Sequence, residues 1–557
     1  MQIQILHAST DRIVQCPSIW RVSVSCIPPD GATSSTVVAG ILPRRRARRR
    51  PLRRVRPPPP RAPPRAQVQL PAGPPAVAGD RQPAPARPAP APLRPRHGPL
   101  MSLRLGSSHA VVASSPGTAR FFLKTRDLAF VDRPRTAAGR YTSYNNSGLF
   151  SSPYGAYWRQ GRKLWQAELF NARRLASLEH VRAEEVRSML GDLRAAAASS
   201  SAGGGRAAAA VALREHLFMV TLVNLNVISR MVLGRKYIVD GAGSPFTPEE
   251  FRWMINEIFF LNGVLNVGDV IPWLGWLDPQ GYVRRMKRLA RMLDRFLEHV
   301  LDEHNERRQR EGEGFVARDM VDVLLELADD PNIEVPIHRD GVKGFTLDLI
   351  GGGTDTSAVT VEWAMSELLR NPGVLARATE ELERVVGRDR LVAEEDMPNL
   401  PYVEAVVKET MRLHPVVPLL TPRLSREDVS VGGYDVPAGT RVLINIWAIG
   451  RDPAVWEAPM EFRPERFVGG GVDVKGQDFE LLPFGSGRRM CPGIGLGLKM
   501  VHMILANLLH AFAWRLPDGV AAEELSMEET FGLTVPRRVP LEAVAEPKLP
   551  AHLYAVP

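Results

Sequence analysis

From residue 96 onward, apolar positions recur mostly at helical spacing, and only short stretches alternate. Residues 101–112 alternate and then run apolar, which predicts a strand. Residues 116–125, opened by Pro116, predict a helix. Residues 141–157 are rich in Tyr, Ser, Asn and Gly and predict a loop, after which Trp158 and Arg162 stand four apart on one helix face. Residues 195–210 are Ala, Ser and Gly and read as a surface loop with fraying helix on either side. Residues 259–277 are apolar but hold Asn262, Asn266, Asp269 and Pro272, which argues against a membrane span. Residues 281–310 form a long charged amphipathic helix. Another helical pattern runs from about residue 341 to 370. Asn371-Pro372 ends it and starts the next, which stops near Gly387. A further helix spans residues 401–413. Residues 429–446 read as a β-hairpin turning near Pro437-Ala438-Gly439, and residues 494–513 as an apolar helix.

Charge changes this picture only at the start. The net charge of +10 belongs to residues 1–95, which hold 16 Arg, no Lys, 3 Asp and no Glu. The remainder carries 55 basic against 58 acidic residues. The first 95 residues are rich in Pro, Arg and Ala, with Trp20 as their one aromatic, so they lack the apolar content for a core and are expected to be disordered. They contain no apolar run of membrane-spanning length and no convincing signal peptide. A nucleic-acid arm at residues 44–54 is the alternative, and no nucleic-acid partner is expected. Three cysteines, Cys16, Cys26 and Cys491, make no disulfide framework and suit a reducing compartment. No zinc-ligand pattern is present.

The chemistry centres on Cys491, in Phe484-Gly485-Ser486-Gly487-Arg488-Arg489-Met490-Cys491-Pro492-Gly493, just before the apolar helix. A cysteine at a helix N-terminus is favoured as a thiolate by free N–H groups and the helix dipole. Gly487 and Gly493 allow backbone close to the sulfur. A bland buried cysteine is common, but it does not call for this glycine and arginine spacing. A second unusual stretch, Gly351-Gly352-Gly353-Thr354-Asp355-Thr356-Ser357, lies mid-helix, where each glycine costs about 1 kcal/mol relative to alanine. A Ser/Thr-capped break would end the helix there, yet residues 359–369 continue the pattern. Glu409 and Arg412 stand three apart on one helix face, with Arg466 as candidate third partner.

The spacing Phe-x-x-Gly-x-Arg-x-Cys-x-Gly resembles the haem-binding loop of cytochrome P-450 monooxygenases, and five motifs occur in family order across residues 96–557. The resemblance implies a mainly α fold with a small β region, one domain around a buried haem b (heme, iron protoporphyrin IX). Cys491 is then the iron ligand, its thiolate pushing electron density toward dioxygen. Phe484 shields the sulfur, and Arg489 and the Trp158–Arg162 pair meet haem propionates. The three glycines open a widened helical turn for dioxygen, and Asp355 and Thr356 form an acid–alcohol pair that delivers protons. Gly351 stands where plant relatives often have Ala. Glu409, Arg412 and Arg466 form a buried network that fixes the cysteine loop. The expected substrate pocket includes Tyr144, Leu149, Gly352, Val417, Leu420 and Leu533, the last in a turn over residues 531–534.

The implied reaction inserts one oxygen atom from dioxygen into a small apolar or phenolic plant metabolite such as a flavonoid or terpenoid. Electrons come from an NADPH-cytochrome P-450 reductase that docks on the cysteine side, with Arg488 and Lys499 as candidate contacts. The implied location is the cytosolic face of the endoplasmic reticulum membrane, with residues 259–277 as an access or lipid-touching region. Two rivals are a haem-thiolate isomerase or dehydratase that does not use dioxygen, and a non-catalytic product of a damaged gene. The family's membrane anchor, hinge and first strand are expected to be lost. Shifting the frame by one base across residues 72–82 can yield Pro-Gly-Pro-Pro-Arg-Trp-Pro-Val-Ile-Gly-Asn, which resembles the plant hinge. Residues up to about Pro95 are therefore expected to be out of frame, and a Val77 codon other than GTG excludes it.

Overall fold

A computed structural model of the chain describes residues 98–202, 213–237 and 245–555. The basic N-terminal segment and its expected disorder and frame lie outside them. The chain begins with a hairpin, β1 (Leu100–Leu105) and β2 (Ser108–Ala113), and continues through α1 (Pro116–Arg120), α2 (Ala137–Thr142), α3 (Ala156–Leu164), α4 (Ala172–Ser177) and α5 (Glu179–Ala202). Then come α6 (Leu213–Leu233), α7 (Pro248–Gly263), α8 (Tyr282–Glu311), α9 (Met320–Asp329), α10 (Arg339–Arg370), α11 (Pro372–Val386) and α12 (Pro401–Leu413). Strands β3 (Arg423–Leu424), β4 (Val429–Val431), β5 (Tyr434–Val436) and β6 (Arg441–Ile444) precede α13 (Ile446–Ile449) and α14 (Ile494–Ala511), and β7 (Phe512–Arg515) pairs with β8 (Val544–Pro547). The fold is mainly α with small β regions, as expected.

The helices start where side chains satisfy orphaned N–H groups. Ser115 and Thr118 form a capping box ahead of α1, Thr247 and Glu250 do so at α7, and Asp319 caps α9. Helix α10 spans 32 residues, about 48 Å at 1.5 Å per residue, and is buried on nearly all sides. Such a helix is central: α6, α12 and α14 pack around it, in a core running from Ala138 to Tyr554. Among the described residues one helix, Ile494–Ala511, is long and apolar enough to cross a membrane; 67% of it is buried inside the fold, as a core helix behind Cys491.

Four expectations about elements are corrected. Residues 101–112 are two strands, because Gly106, at φ +61, turns the chain where a side chain would strike the Val270 carbonyl. The first strand is present: β1 pairs with β2 over six residues, and β2 runs parallel to β6 from Ala110↔Arg441 to Ala113↔Ile444. The later hairpin is β4–β5, turned by Gly432 and Gly433 with φ of +56 and +81, and residues 437–439 instead send the chain to β6. Residues 195–202 are helical, as alanine's propensity favours, and residues 203–212 lie outside the described part.

Candidate active site around Cys491

The loop before α14 is shaped by backbone contacts. Cys491 N donates to the Phe484 carbonyl at 3.0 Å, and Met490 N to Gly487 at 3.0 Å. Gly487 has φ +70 and lies against the Leu123 carbonyl, so a Cβ has neither the conformation nor the room. Gly493 caps α14, and Phe170 lies 3.6 Å from where its Cβ would be. Burial pushes the Cys491 thiol up, while the Gly493 N–H and the Arg162 guanidinium pull it down. The net shift is upward.

Beside this loop lies a cluster of guanidinium groups. Arg489 donates to the carbonyls of Val131 (3.0 Å), Leu149 (3.3 Å) and Ser152 (2.7 Å), and sits 4.6 Å over the Trp158 ring. Arg133 donates to Phe150, Thr421 and Pro422, and Arg423 to Ser486. All these partners are backbone carbonyls, and Arg423 Nη1 has no partner. Burial and mutual repulsion pull Arg489 down to about 9, burial pulls Arg423 down to about 10, and Arg133 is also lowered well below its ordinary value. A guanidinium keeps its proton in a protein, and Asp127 and Asp132 only partly offset the depression, so it marks positive charge with no salt-bridged carboxylate among the described residues. A dianionic cofactor fits it, and the two propionates of haem are such a pair.

Arg162 and Trp158 both border the site. Arg162 Nη1 donates to the Met490 carbonyl at 2.8 Å and so stands beside the sulfur, while Trp158 Nε1 donates to Leu149 at 3.1 Å. Arg133 and Arg423 were not legible as site residues. The signal for Arg423 was one charge in the apolar run of residues 415–424, which calls for a partner.

On the other side, α10 is helical without a break through its three glycines, so the expected widened turn is absent. Space comes from missing side chains: nothing lies within 4 Å of a Cβ at Gly351 or Gly352, and Gly352 is exposed although α10 is central. Gly352, Asp355 and Thr356 share a face by their three- and four-residue spacing. Thr356 Oγ1 donates to the Gly352 carbonyl at 2.9 Å. Asp355 accepts from Thr534 Oγ1 at 2.8 Å, and burial pushes its carboxyl up against the pull of that bond.

Glu409, Arg412 and Arg466 meet. Arg412 grips Glu409 through two bonds of 2.7 and 2.8 Å, Arg466 Nε reaches the same carboxylate at 3.0 Å, and Arg463 N at 2.8 Å. Glu409 and Arg412 are fully buried. Arg412 also donates to the Gly450, Pro459 and Glu461 carbonyls, tying α12 to the segment that leads to the cysteine loop.

The expected pocket residues divide. Leu420 lies 3.7 Å from a Cβ at Gly485, in a turn closed by its N–H on Val417, and has φ +47. Leu533 N donates to Phe259 at 3.1 Å, which sets residues 531–534 against α7. Leu149 is core instead: its side chain packs at Gly161 and its carbonyl serves Trp158 and Arg489. Tyr144 is withdrawn from the pocket. Its ring lies 4.8 Å under Lys343, and burial and Asp294 push its phenol up. Arg488 and Lys499 are each paired with a carboxylate, Asp127 and Glu394.

A half-buried cysteine at a helix start, opposed by an open helix face and flanked by arginines without a salt-bridged carboxylate, defines a thiolate-liganded haem protein. The family model described as Cytochrome P450 (written P-450 here) matches residues 89–539, and the chain belongs to that family. It is 56% identical over 479 residues to trimethyltridecatetraene synthase of Zea mays, covering 82% of this chain and 84% of that protein. It is 54% identical over 473 residues to dimethylnonatriene synthase of Zea mays (83% and 86% covered), and 43% identical over 473 residues to a flavonoid 3'-monooxygenase of Crocosmia x crocosmiiflora (82% and 88% covered). A zebra fish cytochrome P-450 solved with abiraterone superposes with a TM-score of 0.65 at 26% identity, covering 81% of this chain and 97% of that one. The chain is a cytochrome P-450 monooxygenase with haem as cofactor.

Proposed function

We propose that this enzyme oxidises acyclic, branched isoprenoid compounds, with electrons from an NADPH-cytochrome P-450 reductase. The observation that carries the substrate class is the 56% and 54% identity to two enzymes named for branched polyenes, against 43% to a flavonoid 3'-monooxygenase. Val417, Leu420 and Leu533 offer such a chain aliphatic contacts. Phe260 and Phe531, with ring centroids 6.4 Å apart, stand where α7 meets the 531–534 turn.

Bound haem supplies dioxygen activation and oxygen transfer. The protein's part is holding and proton supply. Cys491 would be the residue that holds the iron, and Arg133, Arg423 and Arg489 would meet the propionates. Thr356 offers a hydroxyl at the open face, Asp355 stands one residue away as the acid that passes protons, and Gly352 leaves room for substrate. The network around Glu409 keeps the cysteine loop rigid. Residues 96–557 form the catalytic body in this reading.

Placement at the endoplasmic reticulum membrane is supported by Trp273, Trp276 and Leu277, exposed at 70%, 81% and 50% on one short segment; tryptophan favours the membrane–water boundary. The test of function is a titration of haem-loaded protein with an acyclic terpenoid alcohol and, separately, a flavonoid. The terpenoid is expected to displace water from iron, seen as a Soret shift, and to be oxidised with NADPH and reductase. A shift and turnover with the flavonoid alone contradicts the proposal.

A further inference from the structure

The contact between Asp355 and Thr534 joins two parts of the site that are 179 residues apart. Thr534 is buried at 3% exposure, and its neighbours fix it from three directions. Leu533 N donates to Phe259 on α7 at 3.1 Å. Val535 N donates to Val416 at 3.0 Å, and the Val535 carbonyl accepts from Trp363 Nε1 on α10 at 3.0 Å. A Cβ on Gly263 would collide with the backbone of Gly532 and Leu533, so the turn also lies hard against the end of α7. The hydroxyl is therefore presented by a braced turn.

Asp355 has no cationic partner among the described residues, and Thr534 Oγ1 is the one side-chain donor found on it. A carboxylate on a helix has several rotamers, and a single fixed donor selects among them. The donor also favours the charged form, against burial. The same turn carries Leu533 and Phe531, placed above with the substrate pocket.

We propose that Thr534 is a positioning residue for Asp355: its hydroxyl aims the carboxylate toward the open face of α10 and makes proton delivery depend on the seating of the pocket turn. This rests on Asp355 being the proton donor. A substrate that displaces the 531–534 turn loosens Asp355, and reducing equivalents then leave as peroxide rather than product. Thr534 acts through Asp355.

The experiment compares wild type, Thr534→Val, Thr534→Ser and Asp355→Asn as haem-loaded protein. One readout is independent of turnover: the infrared carboxyl band of the carbon monoxide complex, followed against pH and assigned by its loss in Asp355→Asn. Removing one hydrogen bond to the charged form is expected to raise the apparent pKa of Asp355 by about one unit in Thr534→Val and to leave it near wild type in Thr534→Ser. The second readout is the ratio of peroxide to product per NADPH, with an acyclic terpenoid alcohol as probe. It is expected to rise about fivefold in Thr534→Val, with rescue by Thr534→Ser. If Asp355→Asn raises peroxide while Thr534→Val matches wild type in both readouts, the Thr534 proposal falls and the role of Asp355 stands. If Asp355→Asn leaves the ratio unchanged, the role of Asp355 falls and this inference with it.

Discussion

On the Cys491 side of the site, most polar groups end on backbone or on one another, with Arg423 Nη1 as an exception. Glu409 takes two arginines and a backbone N–H, Arg412 adds three carbonyls, and Gly487 is wedged against Leu123. On the α10 side the notable features are gaps. Among the described residues nothing lies within 4 Å of a Cβ at Gly351 or Gly352, Thr356 bonds within its own helix, and Asp355 hangs on one hydroxyl. The first side must hold an iron ligand in one geometry, which dense bonding does. The second must admit substrate and move protons, which dense bonding would prevent. Glycine serves both: at Gly487 because a side chain has no room, at Gly352 because it would take room away.

Breaking the rigid side should give the largest effect. Glu409→Gln leaves Arg412 and Arg466 buried without counter-charge, at a cost of about 3–5 kcal/mol. Little folded haem protein is expected, measured as the yield of the reduced carbon monoxide complex. Gly487→Ala combines a left-handed backbone with a clash against Leu123, and a loss of roughly 2–4 kcal/mol is expected in thermal unfolding. Arg423→Met removes a proposed propionate partner while keeping an apolar stem. Haem transfer to an apo acceptor is expected to speed up about tenfold or more, the worth of a charge-assisted hydrogen bond.

Smaller effects sharpen the contrast on α10. Asp348 lies one turn before Gly352, accepts the Phe150 N–H at 2.7 Å, and is pushed by burial up to about 7. Its folded pKa is above its unfolded value. The ionised form is therefore disfavoured in the fold, and its contribution to stability is lost as pH rises through about 7. Asp348→Asn should therefore gain stability over wild type by about 1–2 kcal/mol more at pH 8 than at pH 5.5, read from paired melting curves. Gly352→Ala should be neutral or raise stability by up to about 1 kcal/mol, since nothing occupies the Cβ position, while substrate affinity changes. A Gly352→Ala protein as unstable as Gly487→Ala would erase the distinction between the two sides.

The rigid side was the more legible in sequence, because it rests on local spacing: Cys491 with its glycines, and Glu409 three residues before Arg412. Its long-range members were less so. Arg466 was reachable as a third partner, whereas Arg133, in a loop, and Arg423, on β3, come to Arg489 from segments 290 residues apart in the chain. On the open side the glycine run was visible and its meaning was not: the helix stays closed and the space is side-chain space. Thr534 had no signal, since a threonine in a turn is unremarkable until the fold sets it against Asp355. Tyr144 misled because position in a loop before Trp158 does not say which way the ring turns. The hairpin errors came from glycines at 106 and 432–433 read as strand interior.

The most direct test of the haem-thiolate assignment is a difference spectrum of the reduced protein with carbon monoxide, recorded for wild type and Cys491→Ala. The wild type is expected to show a thiolate-type Soret band, absent from the variant. A haem-loaded wild type without that band, or a Cys491→Ala protein that keeps it, contradicts the account.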